Sequence, residues 1–175
     1  MILQLRHFSR RAFLSRSAKL SGGTLFSLAV TPDSGMQKGR QSSSLAQVVK
    51  DCYAAYGSLD VERVLTFYTE DCLFEDHTFH FSLRGKDELR KMFNRNRPLI
   101  LELQFDISNL IVSGNWVVTQ HTQSGLTKNP NAPDNAPKKY SVQGAAILEF
   151  AHGSIVRQTD YYDVITFNKQ VGHNP

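Results

Sequence analysis

Leu101-Glu102-Leu103-Gln104-Phe105-Asp106-Ile107 alternates apolar and polar side chains without a break. That is the period of a strand with one buried face. Ser113-Gly114-Asn115 follows as a turn, and Trp116 to Gln123 reads as the return strand. Tyr140 to Phe150 extends the sheet, His152-Gly153 turns the chain again, and Ile155 to Tyr162 closes an antiparallel meander. Residues 124–139 contain Pro130, Pro133 and Pro137 and read as a long hairpin loop, because prolines cannot donate to a ladder.

Upstream the period changes. Leu45, Val48, Val49, Cys52, Tyr53 and Tyr56 keep the three-four spacing of an amphipathic helix, started by Ser43 or Ser44 and stopped at Gly57. A second helix is capped by Asp60 and turns Val61, Val64, Leu65 and Tyr68 inward. Leu73 to Asp76 looks like a short strand. Lys86 to Asn94 reads as a third helix, with Asp87 and Glu88 in its first turn and Arg90 and Lys91 later, the charge order that suits the helix dipole. Helices followed by long strands give an α+β order in which a curved sheet wraps around three N-terminal helices.

The 175 residues, 41% hydrophobic and 21% charged, fit one globular domain with no room for a second. No stretch reaches the roughly 20 apolar residues of a membrane span. The net charge of +4 is unevenly placed. Arg6, Arg10, Arg11, Arg16 and Lys19 lie before residue 30 with no acid among them, which leaves the remainder near neutral. A nucleic-acid partner is therefore not expected, since phosphate binding needs surplus Lys and Arg on the domain itself. Ser9-Arg10-Arg11-Ala12-Phe13-Leu14, the weakly apolar stretch to Ala29 and Ser27-Leu28-Ala29 resemble a twin-arginine export signal. The expected layout is a signal peptide over 1–29, a flexible tether over 30–43, the folded domain over 44–167 and a tail over 168–175. That signal implies the twin-arginine export machinery as a partner and a periplasmic or extracellular location. Cys52 and Cys72 lack the C-x-x-C spacing of redox or zinc sites and read as buried thiols, although export would permit one bridge.

Asp76 ends an apolar strand. If Phe74 points into the core, the period of two turns Asp76 inward as well. A carboxylate among aromatics has its pKa raised by desolvation and becomes a proton acceptor near neutrality; a strand-end aspartate bonding neighbouring amides is the other reading. Val117, Thr119, His121 and Gln123 share one face of their strand, so His121 either faces the interior as a proton shuttle or faces solvent. Asp76, His77 and His80 are a poor metal set, because residues three apart on a strand point to opposite faces. No metal and no cofactor are expected.

Three segments carry a family resemblance: Gly57-Ser58-Leu59-Asp60-Val61-Glu62-Arg63-Val64-Leu65, Phe67-Tyr68-Thr69-Glu70-Asp71-Cys72-Leu73-Phe74-Glu75-Asp76 and Gly85-Lys86-Asp87-Glu88-Leu89. With the closing Ile155 to Asp163 they resemble the SnoaL-like branch of the nuclear transport factor 2 superfamily over residues 44–167. The resemblance implies a cone-shaped barrel of mostly antiparallel sheet with one deep apolar pocket, on a fold that hosts unrelated chemistries. Asp76 matches the general base of ketosteroid isomerases. Asp160 matches a catalytic aspartate of limonene epoxide hydrolases, with His121 and Gln123 standing where that family has an arginine and a second aspartate. The oxyanion-hole tyrosine of the isomerases matches Cys52 here, so Tyr53 or Tyr56 would have to substitute. Asp76, His121 and Asp160 are thus the implied catalytic residues, and Tyr53, Tyr56, Phe74, Gln123 and Tyr162 the implied substrate contacts. The implied activity is acid-base isomerase, cyclase or hydrolase chemistry on a small hydrophobic cyclic molecule. A non-catalytic ligand-binding module and a homodimerisation scaffold are the alternatives.

Overall fold

The computed structural model describes residues 34–129 and 136–172, with side chains from residue 44. The proposed signal peptide and most of the prolines of the 124–139 loop lie outside the described residues. Helix α1 (Ser34–Ser58) and the short α2 (Val61–Leu65) precede strands β1 (Tyr68–Asp76) and β2 (Phe81–Arg84). Helix α3 (Lys86–Asn96) and a single 3₁₀ turn (Arg97–Leu99) lead into β3 (Ile100–Ser113), β4 (Trp116–Thr127), β5 (Lys138–Ala151) and β6 (Ser154–Tyr162), and α4 (Val164–Val171) follows. The strands form one sheet in the order β2-β1-β6-β5-β4-β3. It is curved and α+β as expected, but it does not close: β2 and β3 remain edges, so the cone is an open sheet rather than a barrel. Every neighbouring pair is antiparallel except β1 with β6.

Several expected boundaries move. Helix α1 begins at Ser34, so the backbone is helical over much of the segment expected as a tether. No proline follows Pro32 there, and Gly35 and Gly39 lower helix stability by only ~1 kcal/mol each relative to alanine. The loop after β4 is shorter than expected, because β4 runs to Thr127 and β5 starts at Lys138. Residues 168–171 are not a tail but the last turn of α4. Asp163 caps that helix by accepting from the Thr166 amide at 2.9 Å, and Phe167 and Val171 bury themselves against Tyr140 and Val142.

The main core lies between the concave face of the sheet and the first three helices. Val49, Cys52, Tyr53 and Tyr56 of α1 meet Phe105 of β3 and Phe93 of α3, and ring contacts fix the approach: Tyr53 to Phe105 at 4.8 Å, Tyr56 to Phe93 at 5.5 Å between centroids. Such pairs add ~0.5–1.5 kcal/mol each beyond their buried area. Curvature comes from β3, whose pairing with β4 shifts register after Ile100 and again after Ile107. Gly125 is required at the first shift, since a Cβ there would stand 2.1 Å from the Glu102 carbonyl oxygen. Cys52 and Cys72 are both buried and unbridged, the second on a strand rather than a helix.

Candidate active site

The period of two on β4 places Val117, Thr119, His121 and Gln123 inward, all buried, while Trp116, Val118 and Gln120 are exposed. On β6 the same period turns Gln158 and Asp160 toward the concave side. These strands, α1 and the end of α3 enclose a cavity walled by Tyr53, Tyr56, Val64, Phe93, Leu103 and Phe105. Among its polar lining groups are Asn96, His121, Gln123, Gln158, Asp160 and Tyr162, with Asp60 and Arg97 where it meets the surface. Its volume for the centres of water-sized spheres is about 70 Å³, space for several waters at roughly 10–15 Å³ each.

Asp160 is half-buried, and its exposure is to this cavity. Burial lifts its pKa to about 7, and the neighbouring Asp76 carboxyl adds to the rise against the Gln158 hydrogen bond. A carboxyl with that pKa exchanges protons at physiological pH. The two carboxyls are brought together by the parallel pairing of β1 and β6, in which Asp76 stands opposite Asp160 and both side chains take the same side of the sheet.

Asp160 Oδ1 accepts from Gln158 Nε2 at 2.8 Å, and Gln158 Oε1 accepts from the Tyr68 hydroxyl at 2.5 Å. The Tyr68 hydrogen is thereby used, so the Tyr56 hydroxyl, 2.7 Å away, must donate to Tyr68. The chain Tyr56, Tyr68, Gln158, Asp160 is therefore directional, every donor pointing toward the carboxylate. It opposes the desolvation of the anion and fixes its orientation. Asp160 Oδ2 makes no hydrogen bond among the described residues.

Asp76 sits one layer behind, 1% exposed and outside the cavity lining. Its Oδ1 accepts from the Phe79 amide at 2.9 Å. Burial raises its pKa, while the Phe79 and Thr78 amides and the Tyr162 hydroxyl favour its anion. Oδ2 and the Tyr162 hydroxyl are near enough to influence each other, yet neither closes a well-formed hydrogen bond. Phe74 likewise lies in the core, stacked on Phe81 at 6.1 Å, and does not line the cavity.

His121 is 5% exposed, and burial lowers its pKa to about 4, so the imidazole is neutral at physiological pH. Its Nδ1 lies 3.2 Å from Thr119 Oγ1 and 3.5 Å from the Tyr53 hydroxyl, and those two oxygens are 2.8 Å apart. A neutral imidazole can orient a substrate oxygen by hydrogen bonding but supplies no positive charge. Gly144 on β5 makes room for the ring, since a Cβ there would fall 2.8 Å from Nε2. Gln123 donates to the Tyr140 hydroxyl at 3.2 Å. Among the described residues no group of three or more His, Cys, Asp or Glu is placed to hold a metal ion, Asp76, His77 and His80 included. None of the described helices is long and apolar enough to cross a membrane.

The structure thus brings His121, Asp160, Tyr53, Tyr56, Gln123 and Tyr162 to one cavity and sets Asp76 and Phe74 behind it. Sequence reasoning missed Tyr68, Gln158 and Asn96. Gln158 was detectable two residues before Asp160 on the same strand face. Asn96 was detectable as the next inward position after Leu89, Met92 and Phe93, had the helix been extended past Asn94.

Solved structures share this architecture. A ketosteroid isomerase-like-fold protein from Catenulispora acidiphila, in complex with trimethylamine, is 20% identical with a TM-score of 0.63, covering 73% of this chain and 93% of that one. A candidate SnoaL-like polyketide cyclase from Shewanella denitrificans is 19% identical with a TM-score of 0.66, covering 74% and 98%. A candidate polyketide cyclase from Xanthomonas campestris pv. campestris is 21% identical with a TM-score of 0.67, again covering 74% and 98%. At such identities the likeness carries the fold alone. No curated protein matches the chain. Residues 49–158 match the SnoaL-like domain, and the chain belongs to that family.

Proposed function

We propose that the protein is an acid-base enzyme of isomerase or cyclase type acting on a compact hydrophobic molecule with an acidic C–H beside a carbonyl, and that Asp160 is the proton-transfer group. The observation that carries this reading is the Asp160 carboxyl, facing an enclosed and largely apolar cavity with a pKa near neutrality. In the step, ionised Asp160 takes the C–H proton and the electron pair moves to the carbonyl oxygen, giving an enolate. Where a neighbouring C=C conjugates with the enolate, the Asp160 carboxyl returns the proton at the far carbon and the double bond shifts; where the enolate carbon attacks a second carbonyl, a ring closes and the resulting alkoxide takes the proton back from Asp160. Neutral His121 and the hydroxyls beside it orient the substrate oxygen. Asp76 acts on the reaction through Asp160, by keeping its proton affinity high. The fold of the candidate polyketide cyclases agrees with this class of chemistry.

The test is exchange of the α-protons of a small cyclic ketone for deuterium, followed by NMR. The wild type should accelerate exchange over buffer, and Asp160→Asn should lose about 10²–10⁴-fold of that acceleration. Loss in Asp76→Asn with none in Asp160→Asn would return the base role to Asp76. Two further readings belong to the proposal. Export through the twin-arginine route rests on Arg10-Arg11, and replacing them with Lys-Lys should retain the protein in the cytoplasm. Homodimerisation rests on Ile111, Trp116, Val118 and Tyr161, exposed apolar residues of the sheet, and sedimentation of Ile111→Asp should show a lighter species than the wild type.

A further inference from the structure

The inner face of α3 reads Leu89, Met92, Phe93 and Asn96, all buried. The last of these occupies a position where the helical period calls for another apolar side chain. Asn96 is 4% exposed and lines the cavity. Its Oδ1 is buried without a hydrogen-bond partner among the described residues. It stands at the N-cap position of the 3₁₀ turn, where an asparagine commonly caps, but its side chain makes no capping bond. An unsatisfied buried amide opposes folding, so both its polarity and its placement lack a structural explanation. Val61, Val64, Phe93 and Ile100 line the same cavity with apolar side chains.

We infer that Asn96 is a specificity residue: its amide recognises a neutral hydroxyl on the bound molecule. This deepens the proposed activity and rests on the reading that the cavity takes a substrate. A hydroxyl matches the amide because it both donates and accepts, as the amide does. Fixed charges nearby do not favour an ionised group. The Arg97 guanidinium gives its Nε and one Nη1 hydrogen to the Leu59 and Ile100 carbonyls at 3.2 Å each, and the carboxyl of Asp60 lies in the same rim and offsets its charge. The ligand is thus held by a hydroxyl toward α3, while its reacting carbon meets Asp160 on β6. Arg97 takes no part in this recognition.

Phenol and toluene form a matched probe pair, close in size and differing in the hydroxyl. Their dissociation constants are measured by NMR titration at neutral pH on the full chain and on Asn96→Leu. The wild type should prefer phenol, and the preference should fall about tenfold in Asn96→Leu, the loss of one hydrogen bond in a largely apolar site. The variant should melt no lower than the wild type, because leucine continues the apolar face. An unchanged phenol-to-toluene ratio in the variant overturns the inference, as does failure of the wild type to bind either probe. Should the leucine variant not fold, Asn96→Ala puts the same ratio to the test. Asp160→Asn separates the two proposals: it should keep the phenol preference while losing deuterium exchange. An intact preference without exchange in the wild type would defeat only the catalytic reading.

Discussion

Two buried asparagines, on segments joined by the bond from the Lys128 amide to the Leu99 carbonyl at 2.8 Å, are treated in opposite ways. Asn129, fully buried behind α4, donates to the carbonyls of Val171 at 3.0 Å and Gly172 at 3.3 Å, closing the end of that helix. Asn96, nearly as buried at the end of α3, closes nothing and looks into a cavity. The first spends its amide on the architecture and the second holds it in reserve. The difference separates polar residues that complete the fold from those that await a partner, and it needs no knowledge of the substrate.

The largest effect is expected at the cavity, where Asp160→Asn should remove orders of magnitude of exchange activity while chemical denaturation shows an intact fold. Asn129→Ala should cost ~1–3 kcal/mol in urea unfolding by leaving the α4 carbonyls unpaired, whereas Asn96→Leu should cost nothing. Equal losses in both would erase the distinction. Gly144→Ala forces a methyl group against His121 Nε2 and the Tyr161 carbonyl oxygen; overpacking of this kind costs ~1–3 kcal/mol, and the His121 ring resonances should shift. Tyr68→Phe removes the middle of the directed chain, so the exchange pH midpoint should rise above that of the wild type, with a stability loss of ~1 kcal/mol.

The pH dependence of melting reads Asp160 directly. Asp160 is raised from 3.8 to about 7, so the native state holds more protons than the unfolded chain across that window, and stability falls as pH rises through it. His121 is lowered from 6.5 to about 4, so its contribution has the opposite sign and grows with pH up to 6.5. Between about pH 4 and 6.5 the two oppose each other. Asp160→Asn should therefore melt at progressively higher temperature than the wild type as pH rises toward 8, measured by calorimetry; a constant gap would remove the carboxyl as the titrating group.

The elements with many core contacts were legible in sequence, because burial imposes a period on them. Leu45 to Tyr56 and Leu103 to Ile107 are such cases, and the inward set of β4 follows the same rule, whereas Leu101, expected on the same face, is exposed where the register shifts after Ile100. The elements that were not legible are short or contribute little to the core. Strand β2 has four residues with none fully buried, and α4 carries β-branched Val164, Ile165 and Thr166 and buries only Phe167 and Val171. The place of Asp160 and His121 on the cavity wall was legible through resemblance and alternation. The setting of Asp76 was not, since a period of two says which side of a sheet a residue takes but not how deep it lies. The hydrogen bonds joining Tyr56, Tyr68 and Gln158 span up to 90 positions of chain and leave no local pattern.

The one pair of strands running in the same direction also governs where this sequence tolerates length changes. Between Tyr68 and Leu73 the β1 and β6 ladders already lose step, and from Leu73 onward they stay matched. An extra residue placed within the irregular stretch can be taken up locally. One placed after Leu73 would carry the Asp76 side chain to the convex surface and leave the Asp160 carboxyl raised by burial alone, without its electrostatic neighbour.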